Sequence, residues 1–432
     1  MKIAIVTTEF VVDETYAGGL ANYTYRIAKS LQGLGHSVTV VYLQRKNDLK
    51  FEEHDGIGLL YVMPKPIMGH LTTRIFNKLL QYAGKLFPKA KIQVEIATRL
   101  AAASNGVRAA MKYHVMLKGV DIVHYTHLEG LGAFHDRSRA SLVRLSSYRD
   151  LWLPYGFPFS SPAERLFEDL ALRRCDRIVA PSSFVANYVQ ARFKKVVGVV
   201  SSPFLPDQNY KIFANTKNRP AAAVAFSRPY GIYFGSICSW KGIGVLVEAL
   251  KRFLAEADNY QFVFIGRPLG LINGVEPHGL IRDVLGCFSG RVHVINSLRH
   301  EQLYPYVEEA EFAAFPTLAD NFPNVILEAM YLKKCIISTF GRGVDEQIDH
   351  EHNGLLVPPN DPELLSQMML RVARMSSRER WEYGIRAHET LARFSPEFCA
   401  KELVVKYEDA IALHRFRKRP RVRLEKKPSM MR

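Results

Sequence analysis

Short apolar runs alternate along the chain with longer stretches of helical period. The first run, KIAIV at residues 2–6, is followed by an amphipathic helix from about Leu20. Six more strand-like runs follow in the first half: SVTVVYL, GIGLLYV, DIVHY, SLVRLSS, RIVAPS and VVGVVSS. Strands that alternate with helices predict a parallel sheet covered by helices, so the predicted fold class is α/β.

A second region of the same kind follows an interruption. Residues 205–230 are rich in Asn, Pro and Lys, and the alternation then resumes with GIYFGS, QFVFIG, RVHVINS, EFAAFPT, CIIST and GLLVPP. We therefore predict a Rossmann-like domain, a linker, a second Rossmann-like domain, a last helix and a basic tail, at residues 1–205, 206–230, 231–394, 395–414 and 415–432. The last helix is expected to pack back on the first domain.

Two such domains facing one another create a cleft, and ligands of doubly wound sheets bind outside the carboxyl ends of the strands. After the first strand, Gly18 and Gly19 begin a helix whose bare backbone can approach an anion, although glycines there are also common in plain turns. His127, just past a later strand, is predicted to face the cleft as a neutral hydrogen-bonding group. His124 fits the core, and with only Glu129 nearby zinc is not expected.

The second domain carries the more specific signals. Lys241 at a helix head can bind phosphate or can simply be solvated. In PTLADNFPNVILEAM, residues 316–330, Asp320 lies in a loop and Glu328 inside the following helix. Carboxylates accept hydrogen bonds from vicinal sugar hydroxyls. Asp320 could equally cap the helix, but a glutamate among apolar residues, like Glu328, is seldom buried without a partner.

Composition limits the class of protein and its location. The chain has 432 residues, 48% of them apolar, which is enough for two cores. No stretch of eighteen apolar residues occurs, the start lacks signal-peptide zones, and the five cysteines form no Cys-x-x-Cys pair. We therefore expect a cytoplasmic protein with free thiols. Of the net charge of +16, the tail from Arg415 supplies nine Lys or Arg against Glu425, a net +8.

These motifs, in this order, resemble the family 4 glycosyltransferases, which are retaining enzymes of the GT-B fold that use nucleotide-sugar donors. The resemblance covers nearly the whole chain. It is carried by the Gly-Gly helix start, LGHSVTV, DIVHYTH, IVAPSSFVANYV, YFGSICSWKG and, most specifically, the segment at residues 316–365.

The resemblance implies roles for the cleft residues. Glu328 would hold the ribose hydroxyls of the nucleotide, and Asp320 would lie beside the transferred sugar. The backbone N–H groups around Asn321 and Phe322 would face the sugar and the diphosphate, and Lys241 would bind the diphosphate.

Further roles follow from the same resemblance. Gly18 and Gly19 match the loop that closes over donor and acceptor, and His127 matches a histidine that contacts the donor sugar. Backbone contacts near Leu298 are expected to meet the nucleotide base.

The chain departs from the family pattern at two positions. Asp320 stands where the family has a glutamate, and Ser236 stands where many members have an arginine. Arg228 or Arg267 could supply the missing cation.

The implied reaction proceeds with retention at the anomeric carbon, and the leaving phosphate oxygen takes the proton of the acceptor. For this reaction the protein must position donor and acceptor and place positive groups at the diphosphate. No Asp-x-Asp pair occurs in the chain, so we expect no cofactor and no metal site, with the nucleotide-sugar as co-substrate.

Basic and apolar residues suggest a peripheral place on a membrane. The segment His70–Ile92 has five Lys or Arg, no acidic residue and an interfacial helical pattern, although a helix packed on its own domain explains it as well. With the tail, it favours contact with an anionic membrane surface, at the inner face of the plasma membrane. A carbohydrate or lipid-linked acceptor in surface polysaccharide biosynthesis, such as lipopolysaccharide, fits this location.

Three other interpretations stay open at this point. A nucleotide-sugar epimerase can share the architecture, and a catalytically inactive nucleotide-sugar-binding scaffold would fit the altered Asp320 and Ser236. Nucleic acid is an unlikely partner, because only the tail supports it.

Overall fold

The computed structural model describes residues 1–12, 19–44, 50–67, 69, 72, 78, 80, 81, 85–155, 161–206 and 229–418. Several predicted features lie wholly or mostly outside these ranges: Gly18, Arg228, most of the linker, much of the segment His70–Ile92, and the tail beyond Lys418. None of the helices in the described ranges is long and apolar enough to cross a membrane.

The first sheet has eight strands in the order β3-β4-β2-β1-β5-β6-β7-β8. All neighbouring strands are parallel except β3 and β4. The strands are Lys2–Thr7 (β1), Ser37–Leu43 (β2), Lys50–His54 (β3), Ile57–Val62 (β4), Ile122–Thr126 (β5), Ala140–Arg144 (β6), Arg177–Ala180 (β7) and Val197–Val199 (β8).

Strand β3 is absent from the sequence-based prediction. Its sequence, KFEEH, is polar, and its side chains are mostly exposed because it lies at the sheet edge. Asp55 and Gly56 have φ of 49° and 76° and form the tight turn to the antiparallel β4. Charged side chains on such an edge discourage pairing with another chain.

The second sheet has six parallel strands in the order β11-β10-β9-β12-β13-β14. This is the Rossmann order, and with the first sheet it confirms the predicted α/β fold class. The strands are Tyr230–Phe234 (β9), Gln261–Ile265 (β10), Val292–Ile295 (β11), Phe312–Phe315 (β12), Cys335–Thr339 (β13) and Leu355–Val357 (β14).

Helices cover both sheets. Those with bounds inside the described ranges are, in the first domain, Gly19–Gly33 (α1), Pro88–Tyr113 (α2), Pro162–Arg174 (α3) and Ser183–Phe193 (α4). In the second domain they are Ile243–Glu256 (α5), Pro277–Leu285 (α6), His300–Glu309 (α7), Asn324–Tyr331 (α8), Pro362–Arg374 (α9) and Ser377–Thr390 (α10). Apolar side chains of both sheets and their helices are almost fully buried and form a core in each domain.

The last helix, Pro396–Lys418 (α11), returns to the first domain. Leu403 and Tyr407 are fully buried in a core shared with β1, β2 and α1. The Tyr407 hydroxyl lies 2.6 Å from Nδ1 of His124 on β5. Arg177 donates two hydrogen bonds to Asp409 nearer the surface. The helix therefore connects the end of the second domain to the back of the first sheet.

Candidate functional site

The strand order of each sheet reverses beside its first strand, at β1 and β5 in one sheet and at β9 and β12 in the other. Ligand crevices of doubly wound sheets open at the carboxyl ends of the strands at such points. Between the domains lies a cavity of about 320 Å³, which we call the interdomain cavity. Its walls come from α1, the loops after β6 and β12, and helices α7 and α8.

The interdomain cavity brings together five residues that the sequence singled out: Gly19, Asp320, Asn321, Phe322 and Glu328. It also contains residues that sequence reasoning missed, among them Arg26, Arg144, His300 and Tyr304. Two carboxylates and two guanidinium groups therefore line the same small space between the domains.

Asp320, which lines this cavity, forms an ion pair with Lys241, which lies behind it and does not line the cavity. Lys241 ends the short turn before α5, and its ammonium group contacts Oδ2 of Asp320. Both side chains are largely buried, with 19% and 12% of their surface exposed. The predicted neighbours of sugar and diphosphate thus bind one another in this structure.

The second oxygen of Asp320 is also occupied. Oδ1 accepts hydrogen bonds from the N–H of Asn321 at 2.7 Å and of Phe322 at 3.4 Å. These two N–H groups were expected to face sugar and diphosphate, but here they point at the Asp320 carboxylate. The capping alternative for Asp320 is wrong, because α8 has Pro323 at its cap position and no side-chain cap bond. Asp320 instead orders the loop before the helix.

Close backbone packing fixes the two loops that meet here. Gly242 has φ of 75°, and a Cβ atom on it would lie 1.7 Å from the carbonyl oxygen of Pro316. Gly343 has the same φ, and its Cβ would lie 2.1 Å from the carbonyl oxygen of Asn321. Only glycine fits both the conformation and the space at these two positions. The backbones of the loops that carry Lys241 and Asp320 are therefore closely packed.

Glu328 lies in the second turn of α8, with 15% of its side chain exposed. Burial raises the pKa of Glu328, and the nearby charges of His300 and Arg26 oppose this rise. The imidazole Nε2 of His300 lies 3.8 Å from the carboxylate, and the ring of His300 stacks on Tyr304 at 5.2 Å. The carboxylate has room to accept hydrogen bonds from a ligand in the interdomain cavity.

His127 lies directly after β5 and is 1% exposed. Its Nδ1 accepts a hydrogen bond of 3.0 Å from the N–H of Ser146, so the proton of the neutral ring is assigned to Nε2. Burial, and then the charges of Arg149 and Arg144, lower the pKa of His127 to about 3. Nε2 is buried without a hydrogen-bond partner among the described residues. His127 does not line the interdomain cavity.

Arg144 is the clearest residue that the sequence analysis missed. It ends the buried strand β6, is 3% exposed, and donates to the hydroxyls of Ser146 at 3.1 Å and Ser202 at 2.7 Å. Its guanidinium carbon lies 3.6 Å from the ring centre of Tyr23 on α1. The available signal was a lone arginine between apolar neighbours, Val143 and Leu145, in the run SLVRLSS.

The remaining predicted residues lie around this centre. Gly19 is the first residue of α1, and a Cβ on it would lie 3.9 Å from the Asn324 side chain across the cleft. Ser236 follows β9, and its carbonyl accepts a hydrogen bond of 2.6 Å from the Tyr233 hydroxyl. Leu298 packs, partly buried, against the core of the second domain. Arg267 is exposed and does not line the interdomain cavity.

One contact joins the two domains directly at the site. The side-chain amide of Asn321 donates a hydrogen bond of 2.6 Å to the carbonyl oxygen of Ser146. Ser146 also supplies the N–H that binds His127. The loop after β6 therefore connects His127 in the first domain to Asn321 in the second. Within the described ranges, no group of three or more His, Cys, Asp or Glu could hold a metal ion.

Known protein families match this chain over both domains. The model "Glycosyltransferase Family 4" matches residues 17–201, and "Glycosyl transferases group 1" matches residues 228–375. The fold and these matches define a glycosyltransferase of the GT-B type, and the resemblance seen in the sequence is confirmed. The chain belongs to the glycosyltransferases that these two models describe, and it is a transferase enzyme.

Individual relatives agree at low identity. The uncharacterized glycosyltransferase MJ1607 of Methanocaldococcus jannaschii is 23% identical over 96% of this chain and 99% of that protein. The uncharacterized glycosyltransferase MJ1178 of the same organism is 21% identical over 57% of this chain, and the match covers 63% of that protein, less than two thirds. The crystal structure of Anabaena HepE in complex with UDP-glucose has a TM-score of 0.63 at 17% identity, covering 95% of this chain and 100% of that chain.

Proposed function

We propose that this protein is a retaining glycosyltransferase that moves a sugar from a nucleotide-sugar donor to a hydroxyl group of an acceptor. The observation that carries the proposal is the buried carboxylate of Glu328 in the interdomain cavity. A carboxylate can accept two vicinal ribose hydroxyls at once, which a neutral side chain does less well. HepE, of the same fold, is solved with UDP-glucose bound, which supports a donor of this class.

Lys241 is the proposed partner of the diphosphate. Its ammonium group already binds one anion, the carboxylate of Asp320, beside the N–H groups of Asn321 and Phe322. A diphosphate oxygen can replace that carboxylate as the partner of Lys241, because both are anionic oxygen acceptors. Asp320 is then released toward the hydroxyls of the transferred sugar.

The proposed reaction breaks the bond between the anomeric carbon and the diphosphate oxygen. A bond to the acceptor oxygen forms on the same face of the sugar, and the acceptor proton passes to the departing diphosphate oxygen. His127 is neutral across the physiological pH range, since its pKa is lowered to about 3, so it contributes no charge beside the site. The protein thus supplies positioning and charge and no strong base.

The acceptor is proposed to be a lipid-linked glycan in polysaccharide biosynthesis, reached from the inner face of the plasma membrane. The support is the charge distribution: the tail from Arg415 carries a net +8, and residues 70–92 contain five Lys or Arg without an acidic residue. The epimerase alternative has less support, because both matching family descriptions name glycosyl transfer.

The test is ligand-induced thermal stabilisation against a panel of UDP-, GDP- and ADP-sugars, with turnover on lipid-linked acceptors as the second readout. We expect one donor to raise the melting temperature, and Glu328→Ala to lose that shift. Glu382→Ala is the matched control, because Glu382 is exposed on α10 and pairs only with Arg378 among the described residues. A donor shift without turnover on any acceptor would favour the inactive scaffold, and no shift with any donor would overturn the proposal.

A further inference from the structure

A second polar cavity lies at the opposite end of the strands of the first sheet, where β6 and β7 begin. It has a volume of about 390 Å³, and we call it the basic pocket. Strand β6 runs between the two sites: Ser141 near its start binds Asp176 of the basic pocket, and Arg144 at its end lines the interdomain cavity. Ser141 and Arg144 are three residues apart, which is about 10 Å along a strand, and the two cavities share no lining residue, so the two sites are separate.

The basic pocket collects positive charge from four parts of the chain. It is lined by six cationic side chains and one carboxylate, together with two histidines: Arg137, Arg173, Arg174, Lys195, Arg417 and Lys418, Asp176, and His135 and His414. They come from the loop before β6, the end of α3, the loop after α4 and the end of α11. Such an excess of one sign in a concave site attracts counter-ions.

The carboxylate of Asp176 is already saturated. Its Oδ2 accepts from the N–H of Ser141 at 3.0 Å and lies 3.2 Å from Nδ1 of His414. Its Oδ1 accepts from Arg417 at 3.2 Å. The ammonium group of Lys195 donates three hydrogen bonds of 2.7 to 2.8 Å to backbone carbonyl groups at the end of α3. Neither side chain neutralises the remaining arginines.

Arg137 and Arg174 have no carboxylate partner among the described residues. Arg174 is half-buried, and its Nε is buried without a hydrogen-bond acceptor there. Burial, and then the charges of Arg137 and Arg108, lower the pKa of Arg174, which shows that like charges crowd this site. Arginines held together against their repulsion, with unused donors, are suited to a bidentate anion.

We propose that the basic pocket is a binding site for a phosphate-bearing anion, independent of the donor site. Guanidinium groups match the tetrahedral oxygens of phosphate, and a cavity of this size holds one or two phosphate groups. The ligand is a free phosphate compound or the headgroup of an anionic phospholipid, and both share this chemistry. Helix α11 ends at Lys418, so Arg417 and Lys418 of the basic tail belong to this helix and line the pocket.

The experiment titrates the full-length protein with pyrophosphate by calorimetry at constant ionic strength, and tests flotation with phosphatidylcholine vesicles with and without phosphatidylglycerol. All proteins in this experiment also carry Lys241→Gln, so that pyrophosphate does not bind at the proposed donor site. We expect Arg137→Gln with Arg174→Gln to weaken binding about tenfold or more, through the loss of charge-assisted hydrogen bonds. The charge-matched control, Arg374→Gln with Arg378→Gln on exposed sites, should change binding less than twofold.

The calorimetric titration and the vesicle flotation distinguish a free phosphate compound from a phospholipid headgroup. Pyrophosphate binding identifies a free phosphate compound, and binding to phosphatidylglycerol vesicles alone identifies a headgroup. Equal weakening in both double variants, binding that vanishes with Lys241→Gln, or no binding in either arm would overturn the proposal. If the double variant does not fold, Arg137→Glu alone serves, because Arg137 is exposed in a loop and its reversal should still weaken binding.

Discussion

Asp320 occupies, in the free protein, the position that an anionic ligand would take. Its two carboxylate oxygens bind Lys241 and the N–H groups of Asn321 and Phe322. In the proposed function, a donor therefore competes with this internal anion for Lys241. The shorter aspartate, in place of the family's glutamate, reaches this lysine directly, which the sequence comparison alone did not suggest.

A first prediction concerns this competition. Asp320→Asn should tighten binding of the nucleoside diphosphate product about three- to tenfold, because Lys241 loses its internal partner. Turnover with the intact donor should fall, since the sugar loses the carboxylate. Calorimetry and initial rates measure the two effects, with exposed Asp283→Asn as control. Weaker diphosphate binding in Asp320→Asn would show that the aspartate assists the phosphate instead.

Glu328 gives a second prediction at the residue scale. Because its folded pKa is raised by burial, Glu328 favours the folded state at low pH, and this contribution is lost as the pH rises through the folded pKa. At neutral pH the buried charge is therefore a cost, which the protein bears for ligand binding. Glu328→Gln should stabilise the free protein by about 1 kcal/mol at pH 7 and abolish donor binding.

Urea unfolding at pH 7 and at pH 4 checks this assignment. The gain in Glu328→Gln should shrink at the lower pH, where the wild-type carboxyl is protonated. Glu382→Gln, on an exposed position, provides the baseline. A loss of stability at pH 7 would mean that His300 and Arg26 outweigh the cost of burial.

At the scale of elements, α11 follows the second domain and packs on the first. One of its buried contacts is the hydrogen bond between Tyr407 and His124, and one of its contacts nearer the surface is the ion pair of Arg177 and Asp409. A buried imidazole left without its partner costs more than an exposed ion pair. The two contacts allow a matched comparison on one helix.

We expect Tyr407→Phe to lower the free energy of unfolding by about 1–2 kcal/mol and Asp409→Ala by less than about 0.5 kcal/mol. Chemical denaturation followed by circular dichroism measures both. Similar losses for the two variants would mean that the surface pair, and not the buried hydrogen bond, fixes the helix.

At the scale of the whole molecule, the cleft supplies its positive charge from residues of both domains. Arg26 and Arg144 come from the first domain and Lys241 from the second. Fixed cations and N–H dipoles can stabilise a leaving diphosphate as a metal ion would.

Removal of divalent metal ions with EDTA should leave turnover within about twofold, because the charge on the leaving group is then met by protein groups. The measurement is the initial rate with the donor selected by the thermal-shift panel, before and after chelation. Loss of activity that Mg²⁺ or Mn²⁺ restores would contradict a metal-independent reaction.

The sequence by itself determined the fold class and several of the second-domain residues that line the interdomain cavity. Alternating strands and helices are local patterns, and Asp320, Asn321, Phe322 and Glu328 lie within one segment, so their neighbourhood is fixed by the chain. The polar edge strand β3 was not predicted, because it lacks the alternation of apolar and polar residues that is typical of a half-buried strand.

Only the tertiary structure decided which distant residues meet. Lys241 and Asp320 are 79 positions apart, and Arg144 reaches the cavity from the other domain. The basic pocket joins Arg137 and Arg174 to Arg417 near the end of the chain. Such contacts depend on how sheets and helices pack. The type of a residue does not indicate which distant residue it will contact.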